Sequence, residues 1–210
     1  MLRPTLRPGF VTFIVAVTLA ASAGCLHADK TQTLYVAADG VVTWMVVEKD
    51  VRSDERDAVK AAAEEREYIT RARVEAHPVA QAFRRLDAIN VTTQVVRDTR
   101  PFTVITTAQF PSLGVLGQSL MDALAVDASS VSTTDGTRTA WTLTVRSEPG
   151  KTDDDLTMLL DEPWHIVLES GRFVTAQNVR IDGGQRAILL EHSPEAELAM
   201  PLVWSLTWMR

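Results

Sequence analysis

Four histidines (His27, His77, His165 and His192) and a single cysteine, Cys25, are the side chains of this 210-residue sequence best suited to metal binding or nucleophilic chemistry. Their spacing argues against both. A zinc site draws three or four ligands from patterns such as HxxxH or HExxH, and no histidine here has such a neighbour. His27 with Asp29, and His165 with His192, each supply two donors and no third. Ser119 lies in Gly117-Gln118-Ser119-Leu120, which lacks the second glycine of a nucleophile elbow. The sequence contains no GxGxxG and no Walker A loop to cradle phosphates. Asp153-Asp154-Asp155 is not followed by the Gly and Glu spacing of a calcium loop, and acids opening a helix explain it more simply. The expectation is a protein with no catalytic residues, no metal site and no cofactor, hence not an enzyme. An unrecognised carboxylate or histidine site, as in an envelope hydrolase, is the alternative, because sequence cannot pair two acids across a cleft.

Cys25 acquires meaning from what precedes it. Arg3 and Arg7 give a positive start, Phe10–Ala21 is uncharged and mostly apolar, and Ser22-Ala23-Gly24 are small. That order is a secretory signal peptide, and the apolar run is shorter than the roughly 20 residues a membrane span needs. The cysteine directly after the small residues resembles the lipobox of bacterial lipoproteins. Ser22 departs from the leucine most often found three residues before the cysteine, and ordinary secretory cleavage after Ala21 or Ala23, leaving a soluble protein, is the alternative. The resemblance implies cleavage before Cys25 and a diacylglyceryl group on its thiol. Residues 1–24 are then a removed signal peptide, 25–31 a lipidated polar tether and 32–210 one domain. Leu26 after the cysteine implies the periplasmic face of the outer membrane if the source is Gram-negative.

The bulk numbers fit an exported domain that lacks disulfides. Without Arg3 and Arg7 the chain carries 19 basic and 27 acidic residues, a net charge of −8. An acidic surface argues against nucleic acid and gives no attraction to anionic lipid, so membrane contact must come from the anchor. With one cysteine no internal disulfide is available, and 46% hydrophobic residues must supply the core.

The elements that would carry any site read in order as follows. Leu34–Val47 predicts a hairpin about Asp39-Gly40, its second arm apolar in both parities and therefore central. Residues 54–76 are charged at 12 of 23 positions and rich in alanine, which predicts a solvated helix with a thin stripe of Ala58, Val59, Ala62, Ile69 and Ala72. Pro78 starts a second helix, buried through Val79, Phe83 and Leu86. Val91–Phe110 predicts two strands, and Leu113, Leu116, Leu120 and Leu124 mark a third helix. Its Gly114 and Gly117 read as close packing rather than a nucleic-acid loop. Ser129–Ser147 predicts a hairpin about Asp135-Gly136, and the remainder is strand and turn. Leu202, Trp204, Leu206 and Trp208 share one face of the last strand. Trp204 and Trp208 are the candidate ligand contacts if that face forms a groove, whereas a core role is the simpler reading.

This element order is similar to the ectodomain of LppM-type bacterial lipoproteins. Tyr35–Trp44 around Asp39-Gly40, Phe102–Leu116, and Trp164–Ala187 with Gly171 and Asp182-Gly183 carry the likeness. It implies an α+β fold with a curved, largely antiparallel sheet, two or three helices on one face and a strand-rich C-terminal third. It also implies an apolar groove and no catalytic residues. Function is therefore expected to be that of a non-enzymatic cell-envelope lipoprotein held through Cys25. Its expected partners are the membrane, an apolar or lipid-like ligand or an envelope protein, and not nucleic acid.

Overall fold

The computed structural model describes residues 25–74, 76–147, 156, 158–160, 162–189 and 201–210. The expected signal segment (residues 1–24), Asp153–Asp155 and His192 lie outside them. Among the described residues two sheets and three helices form an α+β fold, with about half of those residues in strands. The first sheet has the order β3-β4-β2-β1-β7-β10-β9 and the second β5-β6-β11-β8. Their strands are β1 (Leu26–Val36), β2 (Val42–Ser53), β3 (Ile89–Arg97), β4 (Phe102–Phe110), β5 (Ala128–Asp135) and β6 (Arg138–Val145). They continue through β7 (Trp164–Leu168), β8 (Arg172–Gln177), β9 (Val179–Ile181), β10 (Arg186–Leu189) and β11 (Leu202–Met209). All pairings are antiparallel except β1 with β7, where Gln32 lies opposite Trp164.

Strand β2 is central, between β1 and β4, as its apolar run predicts. Its core face is Val42, Trp44, Val46 and then Glu48, each at most 2% exposed. A bulge between Lys49 and Val51 then resets the alternation, so that Val51 rather than Asp50 is buried. Gly40 turns the β1–β2 hairpin at φ +95°, where a side chain would be strained.

One sequence expectation is corrected at the amino terminus. Leu26–Thr31 is not a free tether but the first half of β1, paired with β2 from Leu26 opposite Ser53 onward. The cause is alternation: Ala28 and Lys30 continue the inward parity of Gln32 and Leu34, which the polar composition of LHADKT conceals.

Helix α1 (Ala58–Arg73) is capped by Asp57, whose side chain accepts from the amides of Val59 and Lys60. Those backbone bonds hold the Asp57 carboxyl below the usual carboxylate range. Its buried face is Ala61, Glu65, Ile69 and Ala72, while Val59 is 77% exposed, so the expected stripe is rotated. Glu65, expected to interrupt that stripe, lies within it. Its carboxylate accepts from the Ser53 amide at 3.2 Å and from Arg100 at 2.7 Å. Helix α2 (Pro78–Arg85) buries Val79 and Phe83, and Leu86 just beyond it is also buried. Helix α1 lies on β2 and β3, and α2 on β3 and β4.

Helix α3 (Leu113–Ala123) lies mainly on β5 and β6, so the three helices do not share one sheet face. Its glycines explain the approach. The Gly114 amide donates to Ser132 Oγ at 2.9 Å, and a Cβ at Gly114 would stand 2.8 Å from the Ser132 backbone nitrogen. Gly114→Ala is expected to lower stability by about 1–3 kcal/mol through overpacking, despite alanine's better helix propensity. A reduced urea midpoint at unchanged slope would register it.

Candidate functional site

A polar layer interrupts the core where α1, α2, β2 and β4 meet. Along β2, Val46 belongs to the main apolar cluster and Val51 to a smaller one, with Glu48 between them. Along β4, Ala108 and Val104 divide in the same way around Thr106. His77, immediately before α2, projects into this seam. Glu48, Thr106 and His77 are 1%, 0% and 0% exposed.

The bonding in this layer is incomplete. Tyr68 of α1 donates its hydroxyl to Glu48 Oε1 at 2.8 Å, and its ring meets the His77 imidazole edge-on at 4.8 Å. His77 Nδ1 lies 3.4 Å from Thr106 Oγ1, which is 3.3 Å from Thr93 Oγ1. The remaining atoms, Glu48 Oε2 and His77 Nε2, face each other at 3.2 Å. They are near enough to form an ion pair yet misaligned for a hydrogen bond, and neither has a hydrogen-bond partner among the described residues. Burial pushes the Glu48 carboxyl up, against the Tyr68 hydrogen bond and the Lys30 charge. Burial also pushes the His77 imidazole down to about 4, with Lys30 adding to the effect, and raises the Tyr68 hydroxyl far above its ordinary range. Both members of the pair are thus driven towards their uncharged forms.

A cavity of about 140 Å³ lies beside this layer. Leu26, Ala28, Val51, Pro78 and Met158 wall it, and Lys30, Glu48, Tyr68 and His27 supply its polar groups. Lys30 faces Glu48 because the two are register partners across β1 and β2. The arrangement can hold a proton and admit a small group with an apolar body. It offers a metal only two donors, and no cluster of three His, Cys, Asp or Glu side chains occurs among the described residues.

The residues singled out from sequence are dispersed. His27 lies 3.4 Å from Asp54 rather than forming a chelate with Asp29, and His165 is exposed on β7. Trp208 is 3% exposed and packs edge-on against Phe173 at 6.1 Å, so its indole belongs to the core. Trp204 is half-buried against the same cluster. Cys25 is exposed. Of the sequence-named histidines only His77 enters this layer; its partners Glu48 and Tyr68 carry no motif, although one signal is present. Counting by twos from Val42 and Trp44 places Glu48 on the core face, and a carboxyl there needs partners.

Among the described residues no helix is long and apolar enough to cross a membrane. No protein-family model matches the chain, and no curated protein matches it. A solved structure is similar to it: the NMR structure of the folded domain of the Mycobacterium tuberculosis protein LppM. It is 11% identical, with 91% of this chain and 94% of that chain covered and a TM-score of 0.39.

Proposed function

We propose that this protein is a non-enzymatic cell-envelope lipoprotein, anchored by acylation of Cys25, whose domain binds an apolar or lipid-like group or an envelope protein. The observation that carries the reading is the position of Cys25. It follows the small residues Ser22-Ala23-Gly24 and an apolar run, and its side chain is exposed at the start of β1. Two acyl chains on one thiol satisfy the two-chain requirement for stable anchoring. A non-catalytic role is supported by the seclusion of His77, which is fully buried and does not line the cavity beside Lys30, since a general base must reach its substrate. The apolar walls of the cavity beside Lys30 make it the better candidate ligand contact than the buried Trp208.

Mass spectrometry of the mature amino terminus tests the anchor. Cys25 carrying a diacylglyceryl group is the expected first residue, and an unmodified start elsewhere overturns the proposal. Cys25→Ala is expected to move the protein from the membrane to the soluble fraction, and persistent membrane retention would contradict it.

A further inference from the structure

Cys25 is bound at both its backbone atoms. Its nitrogen donates to Asp54 Oδ1 at 2.6 Å and its carbonyl accepts from the Asp54 amide at 3.1 Å. Leu26 already pairs with Ser53. No slack chain therefore separates the proposed acylated residue from the sheet. We infer that the end of the domain carrying Cys25, the β2–α1 connection and the β3–β4 turn is a lipid-apposed face, resting directly on the bilayer that holds the anchor. This inference rests on the Cys25 anchor proposed above.

The geometry gives the domain two distinct ends. Strand β2 carries Ser53 to the anchor end, where Val51 also lies opposite Phe102 at the start of β4. Its other end begins beside Gly40, about 36 Å away at the usual rise per residue. A Cβ at Gly40 would lie 3.7 Å from the Arg210 guanidinium, and the Arg210 amide donates to Thr137 at 2.9 Å. The Asp135–Arg138 turn thus belongs to the far end. At the anchor end a cleft of about 760 Å³ opens between the β2–α1 connection and the β3–β4 turn.

Charge does not set this orientation. Arg52 pairs with Asp50 and Arg100 with Glu65, and Asp54, Asp57 and Asp98 lie at the same end. The apposition comes from the fixed Cys25, and zwitterionic lipid is the surface it suits.

The test uses the acylated full protein in phosphatidylcholine vesicles doped with a phospholipid bearing a diazirine in its headgroup. Photocrosslinks are mapped by mass spectrometry. Residues 50–58 and 97–101 are expected to be labelled several-fold more than residues 135–138. A flexible Gly/Ser insert of about twelve residues between Cys25 and Leu26, with a root-mean-square reach of roughly 20 Å, is expected to remove that excess while the protein stays on the vesicle. Equal labelling of both ends on retained protein overturns the apposed face and leaves the anchor standing. An excess that survives the insert overturns the role of the fixed cysteine. Protein that leaves the vesicles and lacks acyl groups overturns the anchor and this inference together.

Discussion

Trp44→Ala is expected to lower the stability of the domain by about 3–5 kcal/mol, the range for truncating a large buried aromatic side chain. Trp44 is 0% exposed and lies at the centre of an aromatic group, with ring centroids 5.1 Å from Phe83, 6.3 Å from Phe110 and 4.9 Å from Trp164. Its indole nitrogen also donates to Gln32 Oε1 at 3.0 Å. Gln32 in turn donates to the Leu159 carbonyl at 3.2 Å, where Trp164 also donates at 3.0 Å. One side chain thus joins β1, β2, α2, β4 and β7. Trp44→Phe separates the two contributions, since it keeps most of the apolar volume while leaving the Gln32 oxygen without its donor. It is expected to cost about 1–3 kcal/mol, and urea denaturation of the Cys25→Ala protein measures both. A Trp44→Ala midpoint within error of the parent would show that the core does not depend on this residue.

The Glu48–His77 pair carries the second large effect. His77→Ala leaves a cavity and a buried carboxyl oxygen facing it, and is expected to cost about 2–4 kcal/mol near neutral pH. The pair also sets the shape of the stability–pH profile, and its two members act on opposite limbs. The folded-state pKa of His77 is depressed to about 4. Its contribution is therefore present above the ordinary histidine range and is lost as pH falls from about 6.5 through about 4, where only the unfolded chain takes up the proton. The Glu48 pKa is raised by burial. Its contribution is present below the ordinary carboxyl range and is lost as pH rises through the raised value, where only the unfolded chain releases the proton. Glu48→Gln keeps an acceptor for Tyr68 and supplies a donor towards His77 Nε2. It is expected to abolish the loss on the rising limb and to retain the loss on the acid limb. Denaturation midpoints of the parent and variant across pH decide the matter. Identical rising limbs would remove Glu48 from the account.

Periodicity made most of the fold legible. Both Asp-Gly hairpins, the Leu113–Leu124 helix and the buried Pro78 helix follow from alternation, positive-φ turn residues and leucine spacing. The division into two sheets is a matter of long-range pairing that local pattern does not encode. The parallel contact of β1 with β7 and the position of β11 between β6 and β8 are its clearest cases. The first half of β1 was hidden by its polar composition, because pairing with β2, rather than apolar content, orders it. The candidate site was concealed for a related reason. Glu65 and Glu48 look like surface acids by type, and only the tertiary partners Arg100, Tyr68 and His77 show why burial is tolerated. A dense charge run reads as a solvated face until one of its members is found paired inside.

The parallel pairing of β1 with β7 bears on the order in which the nascent chain folds. A chain synthesised amino-terminus first presents Gln32–Val36 long before Trp164–Leu168 arrives to cover that edge. Until then β1 has β2 on one side and an open row of backbone donors and acceptors on the other. Contacts so distant in sequence close slowly. Completion of the first sheet is thereby delayed until the last third of the chain has emerged.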